Sequence, residues 1–143
     1  MTNPDRTLTG KCLCGAVHYA VADEFVYAAN CHCSNCRRAT GSAFKPFAGI
    51  ERNKLRITEG ENNLMRFGEE LACDMRCKVC GSFLYSVVRE GQFVHVAMGS
   101  LVDAPTIRPT EHIFVGSKAP WFTIIDDLPQ YEEYVTTAGP DGA

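Results

Sequence analysis

The chain has 143 residues, 45% of them hydrophobic and 22% charged, with a formal net charge of −3 at pH 7. That length supports one domain with a modest core and not two ordinary ones. The acidic balance, with a pI near 5.8, argues against a nucleic-acid-binding face, which needs a surplus of Lys and Arg to neutralise phosphates. No stretch approaches the roughly 20 apolar residues needed to span a bilayer.

Taken in chain order, residues 1–7 read as a loose tail without the apolar segment of a signal peptide, so a cytoplasmic protein is expected. Val17, Tyr19 and Val21 alternate with smaller residues after Gly15 and predict a strand; residues 25–29 predict another. The six residues 34–39 predict a short helix, with Ser34 either capping it or donating to a sulfur. Leu55 and Ile57 mark a strand closed by Glu59-Gly60. Two strands, 83–89 and 92–98, flank Glu90-Gly91, a hairpin signal. β character continues through 111–115 and 122–125, and a second short helix is predicted over 129–134. Residues 136–143 read as a second loose tail, so the folded domain is expected over 8–134. His112 and Trp121 read as core residues; Lys118 and His95 carry no assigned role.

Eight cysteines are many for a chain of this size, and seven of them sit in three short clusters. Disulfide frameworks scatter their cysteines to join distant loops, whereas thiols grouped this tightly in a reducing compartment bind metal. Cys77-Lys78-Val79-Cys80-Gly81 is a zinc-knuckle pattern: two intervening residues let both sulfurs face one ion about 2.3 Å away. Gly81 can adopt φ > 0 and turn the chain so that amides face the sulfurs. Cys12-Leu13-Cys14-Gly15 is tighter; in an extended segment residues i and i+2 share a face, so both thiols reach one metal. The two half-sites together supply four ligands, a closed tetrahedral structural site.

Cys31-His32-Cys33-Ser34-Asn35-Cys36 places three thiols within six residues. Three ligands leave one coordination position for water or substrate, the pattern of a catalytic zinc. His32 projects to the opposite face and is not expected to ligate. An alternative grouping joins Cys33/Cys36 to Cys77/Cys80 as a zinc ribbon, but it splits the densest cluster. Cys73, alone four residues before Cys77, reads as a small buried hydrophobe. Arg37 and Arg38 follow the trio directly; they either supply positive charge to a substrate or form a solvated helix face.

The pattern Gly10-x-Cys12-x-Cys14-Gly15-x-Val17-x-Tyr19, then Cys31-His32-Cys33-Ser34-x-Cys36-Arg37-Arg38-x-x-Gly41, then Cys77-x-x-Cys80-Gly81-Ser82 resembles the glutathione-dependent formaldehyde-activating enzyme family, which includes centromere protein V. Glu111-His112-Ile113, Ser117-Lys118-x-Pro120-Trp121 and Asp127-Leu128-Pro129 are similar to that family's closing segment. The resemblance implies a mainly-β, Mss4-like fold of small antiparallel sheets around a structural zinc. It implies Cys12, Cys14, Cys77 and Cys80 as that zinc's ligands, and Cys31, Cys33 and Cys36 as ligands of a second, catalytic zinc. The activity implied is a carbon–sulfur lyase joining formaldehyde to glutathione, or cleaving the S-hydroxymethyl adduct, with no nucleic-acid or membrane partner. A zinc held by three thiolates carries a net charge of −1, which suits it to present a fourth thiolate as nucleophile better than to acidify water. Two other functions fit the same residues: a non-catalytic zinc-stabilised interaction module, and a thiol redox or metal-buffering protein working through Cys33 and Cys36.

Overall fold

In the computed structural model, residues 2–136 are described; they form ten strands in two sheets, of three and seven strands, and one α-helix. The chain divides into two compact units: Met1–Tyr27 with Ala48–Ile107, and Ala28–Phe47 with Arg108–Ala143.

In the first unit, β1 (Thr7–Lys11), β2 (His18–Ala22) and β5 (Leu55–Glu59) form an antiparallel sheet in the order β1-β2-β5. The β1–β2 register runs from Thr7 opposite Ala22 to Lys11 opposite His18. Leu8, Val17, Tyr19 and Val21 point inward and are essentially inaccessible to solvent. Each fully buried aliphatic side chain here contributes about 1.5–3 kcal/mol. An antiparallel meander follows: β6 (Leu64–Glu69), β7 (Ala72–Cys77), β8 (Phe83–Val88) and β9 (Phe93–Ala97). Tyr85, Val87, Val94 and Val96 share one buried face, and Leu84 is buried on the other. The 89–91 turn between β8 and β9 has Arg89, Glu90 and Gly91 all at positive φ, the conformation that a tight hairpin connection demands.

The chain passes between the units within β3 (Tyr27–Cys31) and β4 (Lys45–Glu51). In the second unit, β3 leads through Cys31-His32-Cys33 into α1 (Ser34–Thr40). β10 (His112–Ile113) lies parallel to β3, with His112 opposite Asn30 and Ile113 opposite Cys31. A C-terminal segment then lies along the other side of β10. The His112 amide donates to Pro129 O at 2.9 Å, and the Tyr131 amide to His112 O at 2.9 Å. Phe114, just beyond β10, holds φ of 56°, and its ring packs edge-on against Tyr134.

This mainly-β architecture agrees with the Mss4-like arrangement that the motif resemblance implies, except that β10 pairs in parallel. Several local expectations are corrected. No helix forms over 129–134, because those backbone groups pair with the β10 segment instead. Residues 122–125 form no strand, and Trp121, expected in the core, is 70% exposed. The strand expected over 25–29 begins two residues later, at Tyr27. Within the segment 1–7, expected loose, Asn3 donates to the Asp23 carbonyl at 2.7 Å and the Arg6 guanidinium pairs with the Asp23 carboxylate at 3.2 Å. The tail expected over 136–143 falls, from residue 137 onward, outside the described residues. Among the described residues no helix is long and apolar enough to cross a membrane.

Candidate metal centres

The first centre lies wholly in the first unit, on two hairpin turns. Cys12 and Cys14 occupy the β1–β2 turn, while Cys77 ends β7 and Cys80 sits in the β7–β8 turn. The two turns are built alike. Gly15 and Gly81 both hold φ of 80°, and their amides close back onto the carbonyls of Cys12 (3.2 Å) and Cys77 (2.7 Å). That left-handed conformation favours glycine strongly, which explains why a glycine follows each cysteine pair. The turns are also joined to each other: the Leu13 amide donates to Ser82 Oγ at 2.9 Å.

All four Sγ atoms lie within 4.8 Å of one another. Cys12 Sγ is 3.7 Å from Cys14 Sγ, which is 3.8 Å from Cys77 Sγ. Four thiolates at about 2.3 Å around a tetrahedral zinc would stand about 3.8 Å apart, so this donor set fits zinc. The sulfurs also accept hydrogen bonds that stabilise thiolates: Val17 N to Cys12 and Val79 N to Cys77, both 3.3 Å, while Ser82 Oγ is 3.1 Å from Cys80 Sγ. The Ser82 hydroxyl draws the Cys80 thiol down to about 5. Cys12 is lowered too: burial opposes it, but the Val17 amide and neighbouring thiols outweigh that cost. Cys14 moves the other way. The Ala16 amide pulls it down, yet desolvation and the neighbouring sulfurs push it up to about 11. Four sulfurs this close cannot all carry negative charge unless a cation lies between them.

The second centre lies wholly in the second unit and comes from one short segment. The Sγ atoms of Cys31, Cys33 and Cys36 lie within 4.8 Å of one another, and no fourth His, Cys, Asp or Glu joins them among the described residues. Extended backbone turns Cys31 and Cys33 to one face, and the first helical turn brings Cys36 back to them. The expectation that Ser34 caps α1 is corrected: the N-cap is Cys33, at φ −64° and ψ 154°, and its sulfur accepts the Cys36 amide at 3.2 Å. Hydrogen bonds from Cys31 and Cys36 drive the Cys33 thiol down to about 2. Those two thiols are in turn raised, chiefly by their contacts with the other members of the trio. One thiolate is thus stabilised by two thiols, and a divalent cation would displace both remaining protons.

Arg37 is half-buried, and its Nε is buried without a hydrogen-bond partner among the described residues; Arg38 is exposed. His32, not expected to ligate, is fully buried and does not join the group of three sulfurs. His112 is buried as expected, at 2% exposure, and Cys73 is buried with its sulfur 3.8 Å from Met75 Sδ. Sequence reasoning missed Lys45, which is buried and whose charge favours the Cys36 thiolate. It also missed Asp126, which accepts from His112 Nε2. For the first, the sequence shows only a lysine nine residues beyond Cys36, and its burial is not legible there. For the second the sequence carried no signal.

A family model described as "Glutathione-dependent formaldehyde-activating enzyme" matches residues 7–117, well over half of the chain. A structural-genomics crystal structure of a Rhodobacter sphaeroides protein is similar in fold, with a TM-score of 0.55 and 30% sequence identity. The alignment covers 71% of this chain and 91% of that one. Among curated proteins none matches.

Proposed function

The chain belongs to the glutathione-dependent formaldehyde-activating enzyme family, and from that premise we propose that it is a zinc-dependent carbon–sulfur lyase. It forms or cleaves the S-hydroxymethyl adduct of a small thiol, with glutathione the thiol and formaldehyde the aldehyde. In this reading Cys12, Cys14, Cys77 and Cys80 hold a structural zinc, and Cys31, Cys33 and Cys36 hold a catalytic one. The observation that carries it is the incomplete ligand set: three sulfurs converge and no fourth protein donor closes the site among the described residues. A structural role alone needs only a closed site.

Cys31, Cys33 and Cys36 would hold the zinc, which would supply Lewis acidity that favours the thiolate form of a substrate thiol at neutral pH. In the forward direction the thiol sulfur adds to the aldehyde carbon. One S–C bond forms, the C=O π pair moves onto oxygen, and the proton lost by the thiol ends on that oxygen. Arg37 follows Cys36 directly, and its Nε–H has no hydrogen-bond partner among the described residues; in this reading its cationic side chain serves the developing alkoxide or a substrate carboxylate. Lys45, buried near Cys36, offsets the surplus negative charge of three thiolates. Such chemistry belongs in a reducing compartment, and we place the protein in the cytoplasm.

Zinc content and adduct exchange test the reading together. Two zincs per chain are expected. Exchange between glutathione, formaldehyde and adduct, followed by NMR at equilibrium, should run faster than the uncatalysed background. A Cys33→Ser variant that exchanges as fast as the wild type would sink the proposal.

A further inference from the structure

His32 has no part in the activity proposed above, yet it is the most deeply buried residue between two metal-site cysteines. Its side chain is fully inaccessible. Its ring packs against Phe44 (centroids 5.0 Å apart) and Phe122 (6.2 Å). Burying an imidazole among aromatic rings is unfavourable unless its polar atoms are bonded.

The bond it makes is to a second buried histidine. His32 Nε2 is 2.8 Å from His112 Nδ1. His112 Nε2 in turn stands 3.1 and 3.0 Å from the two carboxylate oxygens of Asp126. Asp126 is itself aimed, because its Oδ1 accepts the Leu128 amide at 3.1 Å. The carboxylate fixes one proton of this hydrogen-bond chain. The carboxylate can only accept, so His112 carries its proton on Nε2. The bond between His112 Nδ1 and His32 Nε2 then ties the second ring to the first. Among the described residues His32 Nδ1 has no hydrogen-bond partner, so the link to His112 is what orients the ring. The main chain is clamped along the same line. The His32 amide donates to Ile113 O at 2.9 Å, and His112 is bonded at both its amide and its carbonyl by the 129–131 segment. His32 therefore cannot rotate without breaking the chain, and its Cα lies between the two peptides that carry Cys31 and Cys33.

We infer that Asp126, acting through His112, is a positioning residue that orients His32 and thereby holds Cys31 and Cys33 in the geometry that grips the metal ion. The inference rests on the reading of the trio as a metal centre, but not on the lyase reaction. It gives the centre a supporting shell on the side opposite the sulfurs, delivered by the C-terminal segment rather than by any residue of the cysteine motif. Outer-shell partners of this kind are typically worth 10–100-fold in metal affinity.

The test uses the zinc-loaded protein and a graded chromophoric chelator. Asp126 is 46% exposed, so Asp126→Ala should leave no buried cavity, and folding is checked by the thermal midpoint. The expected result is that Asp126→Ala releases the trio's zinc at about 10–100-fold lower chelator strength, with retention at the four-cysteine site unchanged. Refilling the emptied trio with Co²⁺ should give a shifted d–d spectrum in Asp126→Ala, and Asp126→Glu should restore both properties toward wild type. A variant whose trio zinc is held as tightly as in the wild type overturns the inference. So does loosening of both sites in parallel, which would mean general destabilisation. A wild type carrying a single zinc instead sinks the metal-centre reading itself. Failure of the adduct-exchange assay leaves the retention result standing.

Discussion

The two cysteine clusters use the same ligand chemistry and differ in what they join. In the first unit, contacting sulfurs come from residues 63 positions apart, Cys14 and Cys77. An ion there would tie two hairpins that are already joined by the Leu13–Ser82 hydrogen bond. In the second unit the three sulfurs lie within six residues, so an ion closes almost no loop and adds little to chain connectivity. Loop-closing ligands act on folding, because the unfolded chain must give up the freedom of the loop. Local ligands leave folding nearly untouched and are free to serve chemistry. Ligand number repeats the distinction, four being a closed set and three an open one.

The comparison is broken most directly at Cys77. Cys77→Ser should cost the structural ion and, with it, much of the folding free energy, for which structural zinc supplies about 10 kcal/mol. Circular dichroism on heating should show the cooperative transition lost or moved far down. A variant melting like the wild type would mean the four sulfurs do not cross-link the fold. Gly60→Ala is the next largest effect. Gly60 holds φ of 79°, and an added Cβ would lie 1.7 Å from the Ala16 carbonyl oxygen, in the turn that carries Cys14. We expect a loss of about 3 kcal/mol in urea unfolding, and earlier loss of zinc from the four-cysteine site than from the trio.

Asp23 sharpens the contrast through pH. Its carboxylate is buried, which alone would raise its pKa. It nevertheless lies below the ordinary 3.8, because the Thr106 amide and hydroxyl and the Arg6 guanidinium bond it. A native value below the unfolded one means the stabilisation is present above 3.8 and fades as pH falls through the native value. Wild type should exceed Asp23→Asn by about 2 kcal/mol at pH 6, and the gap should close in acid. A gap that widens in acid would contradict the assignment. The smallest effect on stability belongs to Cys33→Ser. Serine is a good helix N-cap, so the variant keeps the cap while losing a ligand. Its unfolding free energy should stay within about 0.5 kcal/mol of wild type while adduct exchange falls to background.

Much of this was legible before any coordinates. The cysteine spacings predicted both clusters because metal geometry acts over two or three residues. The strands β2, β5, β8 and β9 were legible in part because they alternate or flank a clear turn. β6 escaped notice because it is almost wholly exposed, with Phe67 at 74%, so nothing in it alternates. β4 opens Lys45-Pro46 and runs buried over four successive residues from Phe47, which blurs the period. The histidine pair was out of reach for a different reason: His32 and His112 meet across 80 positions of sequence, and no local pattern encodes that encounter.

In the proposed centre Cys33 holds two offices at once, ligand in the trio and acceptor for the Cys36 amide in the first turn of α1. Cys33 is already the thiolate of the trio, and an ion bound to it would draw on the lone pairs that the Cys36 amide uses, so filling the centre alters the opening turn of the helix. The nitrogen-15 shift and deuterium uptake of the Cys36 amide thereby become a gauge of occupancy, readable on the intact protein without any substrate.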